Sequence, residues 1–210
     1  MVSRFVYTIG HSSHLIERLI KLLSLHNISA VADVRSHPYS RFNPQFNREN
    51  LRVALKQAEI AYVFMGNELG ARPEDRSCYI NGTVQYDLLS RSRLFQGGLS
   101  RIAQGARRHR ITLLCAEKDP LVCHRSVLIC RHLANLGIEA QHILDSGRLE
   151  SHEQALLRLL DECGLGDSDL FRTRSELILE GRVPIFPVRL RAEPGAKWPY
   201  VSIGSSDPPC

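Results

Sequence analysis

Apolar runs alternate with helical stripes along the first three-quarters of the chain. Runs typical of buried strands occupy Phe5–Ile9, Ala30–Val34, Ala61–Met65, Ile111–Cys115 and Ala140–Leu144. Helical spacing of apolar residues predicts helices at 15–23, 47–58, 86–92, 97–108, 126–136 and 151–163. We expect Ser12 or Ser13 to cap the first helix and Gly137 to end the fifth. This alternation predicts an α/β fold, a parallel five-stranded sheet with helices on both faces.

The pattern changes near residue 165, where helical spacing gives way to a segment rich in proline, glycine and serine. We therefore expect an α/β domain over residues 1–164 and a C-terminal extension over 165–210. The extension reads as an irregular, partly disordered tail. The total of 210 residues suits one domain with a tail.

Composition agrees with a globular protein, since 43% of residues are hydrophobic and 23% are charged. No apolar run approaches the ~20 residues that span a bilayer, and the N-terminus has no signal-peptide pattern. We expect a cytoplasmic protein without a membrane partner. The six cysteines are irregularly spaced, which predicts reduced thiols, with Cys130 in the core.

The formal charge of +5 comes mostly from arginine. Because guanidinium groups bind phosphates through two parallel hydrogen bonds, this composition favours anion recognition.

Polar and titratable residues follow each predicted strand. The first four strands are followed by His11 and Ser12, by Asp33 and Arg35, by Glu68, and by Cys115 and Glu117. The carboxyl ends of parallel strands meet at one edge of a sheet, where α/β proteins bind their ligands. We therefore predict one ligand site at this edge.

The stretch from Cys115 to Ser126 carries the strongest signal, because a strand end, a turn and a helix start follow in order. A helix start favours an anion, and Arg125 and Ser126 would add donors to it. The helix dipole and Arg125 would lower the pKa of a thiol at Cys123 or Cys115. Asp119 stands where a cysteine phosphatase of the HCx5R type has its nucleophile, which argues against that mechanism.

The leading hypothesis is an enzyme that binds a phosphate-bearing ligand, either a nucleotide or a nucleic acid. Cys115 or Cys123 would be the reactive thiol, with Glu117 or Asp33 as the acid/base. Expected ligand-binding residues are His11, Ser12, Arg35, Glu68, His124, Arg125 and Ser126. Asp33 and Arg35 lie two residues apart on a strand, so they share a face and pair or bind jointly. Cofactor and oligomeric state stay open.

Two alternatives remain. Cys115, Cys123 and His124, with Glu117 and His11 in reach, offer metal ligands, although Cys-x7-Cys-His fits no standard zinc module. Alternatively, the protein is a non-catalytic nucleic-acid or nucleotide binding module. Arginines interleaved with aromatic residues favour that module: Arg35, Arg41, Arg48, Arg52, Arg72 and Arg76, with Tyr39, Phe42, Phe46 and Tyr62. The isolated histidines, His152 among them, are interpreted as surface residues.

Ordered motifs carry a family resemblance. They are Thr8–Ser12, Asp33–Arg35 with Pro38 and Ser40–Arg41, Glu68–Gly70, Tyr86–Asp87, Cys115–Glu117, Cys123–Arg125, and His142–Leu144 with Gly147. From Phe5 to Leu160 the chain resembles the family named domain of unknown function 488. Ala71 departs from it, since similar chains usually have glycine there. The resemblance implies an α/β fold and no established activity.

Overall fold

The computed structural model describes residues 5–162. The strands are β1 (Phe5–Gly10), β2 (Ala30–Asp33), β3 (Ala61–Phe64), β4 (Tyr79–Ile80), β5 (Thr83–Val84), β6 (Ile111–Cys115), β7 (Glu139–Ile143) and β8 (Leu149–Ser151). The helices are α1 (Ile16–Leu25), α2 (Arg48–Gln57), α3 (Gly66–Leu69), α4 (Tyr86–Arg91), α5 (Arg93–Gly105), α6 (Arg131–Ala134) and α7 (His152–Glu162). A π-helix spans Arg125–Cys130, directly before α6. The predicted tail lies outside the described residues.

Six strands form the main sheet, in the order β3-β2-β6-β1-β7-β8. Five of them are parallel, and β8 pairs antiparallel with β7. The α/β class is confirmed, whereas the prediction of a purely parallel five-stranded sheet is wrong by this added edge strand. A separate hairpin, β4-β5, was also missed; Asn81 and Gly82 turn it with φ of 50° and 76°.

The predicted helices form, with three corrections. Ser12 and Ser13 do not cap α1, because the helix begins at Ile16 after an extended Leu15. The helix predicted at 97–108 begins earlier, since the Ser92 side chain accepts a hydrogen bond from the Phe95 N–H. The helix predicted at 126–136 is the π-helix followed by the short α6.

Helices cover both faces of the sheet, as predicted. Residues of α3, α5 and the π-helix pack on one face, and residues of α1 and α2 pack on the other. The segments that leave β1 and β6 therefore run to opposite faces, so the carboxyl ends of these neighbouring strands form a topological switch point, where α/β proteins generally bind ligands. Among residues 5–162, no helix has the length and apolar character needed to cross a membrane.

Candidate functional site

Four side chains from the end of β6 and the segment after it meet at this switch point. The thiols of Cys115 and Cys123 both donate to Glu117 Oε2, at 2.9 and 3.0 Å. His124 Nδ1 lies 3.6 Å from Cys115 Sγ and 3.9 Å from Cys123 Sγ. The two sulfurs and a His124 nitrogen all lie within 4.8 Å of one another, and all three residues are buried. We call Cys115, Glu117, Cys123 and His124 the cysteine cluster.

Close backbone contacts hold the loop that carries Glu117. The N–H groups of His11 and Ser12 donate to the carbonyls of Cys115 and Ala116, at 2.9 Å each. Gly10 lies directly beneath, where a Cβ would stand 1.7 Å from the Glu117 carbonyl oxygen. Only glycine therefore lets the loop close over the end of β1.

Arg125 is fully buried and holds the same loop from the other side. Its guanidinium donates to the carbonyls of Glu117 and Lys118, at 2.7 and 3.1 Å, and to Thr8 Oγ1 at 3.3 Å. Arg125 was expected to bind an anion at a helix start. Its donors instead meet protein oxygens, and a π-helix of six residues follows it.

A backbone contact fixes the orientation of the His124 ring. Nε2 lies 3.1 Å from the Val34 carbonyl oxygen, which can only accept, so Nε2 carries a proton. In the neutral ring Nδ1 is then a free lone pair, and it faces the two sulfurs. Metal-binding histidines show the same arrangement, with the second nitrogen donating to a carbonyl or a carboxylate.

The surroundings of the two thiols in the cysteine cluster shift their pKa values in opposite directions. Burial alone would raise the pKa of Cys123, but the Cys115 thiol, Arg125 and His124 hold it well below its ordinary value. Burial and the neighbouring Cys123 raise the pKa of Cys115 well above its ordinary value. The same two causes raise the pKa of Glu117. The cluster therefore favours one thiolate over two.

Asp33, Arg35 and His11 form a second buried cluster, and the predicted pairing of Asp33 with Arg35 is confirmed. Arg35 donates to both Asp33 carboxylate oxygens, at 2.8 and 2.7 Å, and Nη1 lies 3.1 Å from His11 Nε2. Burial and the Arg35 charge lower the pKa of His11 to about 4. Tyr62 also donates to Asp33, so this cluster is a saturated network that positions the loop after β2.

The remaining predicted residues lie apart from the cysteine cluster. Glu68 forms an ion pair with Arg101 of α5. The Ser126 hydroxyl lies 3.4 Å from His152 Nδ1, and Ser12 has a left-handed backbone with φ of 50°. No contact among residues 5–162 joins the Glu68 or Ser12 side chain to the cluster, so their proposed roles remain predictions.

Sequence reasoning gave no role to Tyr86, the first residue of α4. Tyr86 packs against the core cluster that contains Cys115 and Cys123, and burial and the charges of these two residues raise the pKa of its hydroxyl well above its ordinary value. Its only sequence signal was the family-like Tyr86–Asp87 pair. Two of the arginines proposed to bind nucleic acid cover aromatic rings, Arg41 over Phe42 and Arg48 over Phe64.

Comparison with known proteins gives one match. The family model described as "Domain of unknown function DUF488" matches residues 15–131, more than half of the chain. The matched segment contains the whole cysteine cluster and the Asp33–Arg35 pair. It begins after His11 and ends before His142 and His152. No curated protein and no solved structure matches the chain. The chain belongs to the domain of unknown function DUF488 family.

Proposed function

We propose that this protein is a metal-dependent enzyme. Cys115, Cys123 and His124 bind a divalent ion of borderline softness, with Zn²⁺ as the first candidate. One observation carries the proposal: Nδ1 of His124 faces both sulfurs while Nε2 donates to the Val34 carbonyl. A thiol pair that merely fills a core needs no imidazole held in this tautomer.

The distances in the cysteine cluster fit a tetrahedral ion. Bonds of ~2.3 Å to sulfur and ~2.0 Å to nitrogen place those two ligand atoms ~3.6 Å apart. The observed separations from His124 Nδ1 are 3.6 and 3.9 Å. Only small side-chain shifts would therefore be needed to bind the ion.

Glu117 supports a catalytic centre over a purely structural one. Its Oε2 lies 2.9 and 3.0 Å from the sulfurs, closer than the ~3.6 Å expected between tetrahedral ligands. These distances support Glu117 as a proton acceptor in the proposed centre, and three ligands would leave the fourth position for water or substrate. The carboxyl ends of β1 and β6 form the kind of topological switch point at which α/β enzymes bind their substrates. A phosphate-bearing substrate at this edge remains our prediction.

Metal content tests this proposal. The full chain, purified without a tag or chelator, should contain close to one equivalent of metal by mass spectrometry. Cys115→Ser and Cys123→Ser should lose it, because a serine hydroxyl is a poor ligand for these ions. Cys78→Ala is the matched control, a buried free cysteine outside the cluster that should keep the metal.

A metal-free wild-type protein would overturn the proposal. Selective alkylation of Cys123 in that protein would instead favour a thiol-dependent enzyme.

A further inference from the structure

A second buried hydrogen-bond chain begins at Arg125 and runs away from the cysteine cluster. Thr8 Oγ1 accepts from Arg125 Nε at 3.3 Å and lies 2.8 Å from His142 Nδ1. His142 Nε2 lies 3.2 Å from His152 Nδ1. Thr8, His142 and Arg125 are all essentially inaccessible to solvent, whereas His152 is partly exposed at the start of α7.

The register of the sheet explains the first link. Thr8 of β1 and His142 of β7 are direct partners in the parallel pairing, so their side chains leave the same face. That face also carries the π-helix, which brings Arg125 over Thr8. The last link follows from the turn that makes His152 the first residue of α7.

One direction of donation satisfies every contact of the chain. Arg125 Nε can only donate, so Thr8 Oγ1 accepts and its single hydroxyl proton is free for His142 Nδ1. The His142 proton then stands on Nε2 and is donated to His152 Nδ1. In this arrangement Thr8 and His142 each accept on one side and donate on the other, as in other fully satisfied buried networks.

We propose that Thr8, His142 and His152 are positioning residues for the metal centre. They orient Arg125, which holds the Glu117 and Lys118 carbonyls and thereby fixes the loop between the ligands Cys115 and Cys123. This inference rests on the proposed metal site. None of the three touches a ligand atom in the contacts among the described residues, so their effect passes through Arg125.

Thr8→Val tests the chain, because valine keeps the shape of threonine and removes the hydroxyl. The readout is the dissociation constant for Zn²⁺ on the full chain, measured by competition with a chromogenic chelator. Loss of a residue that supports metal ligands typically weakens metal affinity by ~10–100-fold, and we expect an effect in this range. Thr8→Ser keeps the hydroxyl and should restore most of the affinity.

The neighbouring strand supplies a matched control. Thr112 of β6 is as buried as Thr8, but its hydroxyl meets no hydrogen-bond partner among the described residues. Thr112→Val should therefore leave zinc affinity unchanged. The melting temperature of the metal-free proteins measures any general loss of stability.

A second variant covers the case in which Thr8→Val does not fold. His152→Phe keeps an aromatic ring against His142 and removes the ring nitrogen that pairs with it. Because His152 is partly exposed, this change should weaken zinc affinity by ~3–10-fold, less than Thr8→Val does at a fully buried position. Wild-type zinc affinity in both folded variants would overturn the chain and leave the metal site standing. A wild-type protein that binds no zinc would overturn both.

Discussion

The absence of a side chain at Gly10 allows the loop that carries Glu117 to pack against the end of β1. A Cβ there would lie 1.7 Å from the Glu117 carbonyl oxygen, which is backbone and cannot rotate away. We expect Gly10→Ala to lower the free energy of unfolding by about 3 kcal/mol, as overpacking does at its upper range. Metal binding should fall with it, because the loop between the ligands must shift.

Gly97 provides the control for Gly10→Ala. It lies inside α5, and a Cβ there would meet nothing within 4 Å. Gly97→Ala should raise the free energy of unfolding by ~0.5–1 kcal/mol, since alanine is the better helix former. Urea titration of both variants measures the two changes. Equal stability of Gly10→Ala and wild type would contradict the steric argument.

At this scale the sequence predicted which residues cluster better than it predicted the contacts that each of them makes. Cys115, Glu117, Cys123 and His124 fall within ten positions after an apolar strand, so their proximity was predictable. The use of Arg125 was not, because a guanidinium that binds carbonyls and one that binds phosphate look alike in sequence. Tyr86 comes from a distant helix, and only tertiary packing brings it to the thiols.

The contact between β7 and α7 makes stability depend on pH. Burial, then the charges of His152 and Arg125, lower the pKa of His142 to about 3. Burial lowers the pKa of His152 to about 4. In the unfolded chain both titrate near 6.5. Below pH 6.5 both histidines therefore take up protons in the unfolded state, whereas in the native state they stay neutral. The free energy of unfolding consequently falls as the pH drops toward 4.

Each of these two histidines lowers the free energy of unfolding by up to ~1.4 kcal/mol per pH unit in that window, and has no such effect above it. Urea titrations of metal-free protein between pH 7 and pH 4.5 should reveal the slope. His152→Asn keeps an acceptor for His142 and removes one titrating group, so its slope should be shallower. His37→Gln, at an exposed loop position, should not change it. An unchanged slope in His152→Asn would argue against the buried pair.

The periodicity of apolar residues predicted the central strands and helices. It did not predict the elements that form because of tertiary contacts. The strands β1, β2 and β6 are almost wholly buried and mostly apolar because helices cover both faces, so their pattern was clear. The edge strand β8 has three residues, too few for any period, and forms only because β7 offers a free edge. The π-helix has the same apolar spacing as an α-helix over six residues, so sequence does not separate the two.

For the whole molecule, metal binding should raise the free energy of unfolding. A ligand that binds only the native state stabilises it by ~2.7 kcal/mol at 100 times its dissociation constant. For a domain of this size, that corresponds to a rise of ~5–10 °C in melting temperature. We expect calorimetry to show this rise with zinc and its reversal with a chelator. Cys123→Ser should show no rise, and an equal rise in that variant would place the zinc elsewhere.

The burial of Arg125 has a consequence for which metals the centre accepts. This guanidinium carries a permanent positive charge, and its three hydrogen-bond acceptors are neutral oxygens. Two thiolates balance a divalent ion, and ionised Glu117 balances Arg125, so the pocket is electrically neutral when it holds a dication. A monovalent ion such as Cu⁺ would leave a buried negative charge, and a trivalent ion a positive one. While Glu117 is ionised, charge balance therefore favours a divalent ion before ligand softness or geometry discriminates among dications.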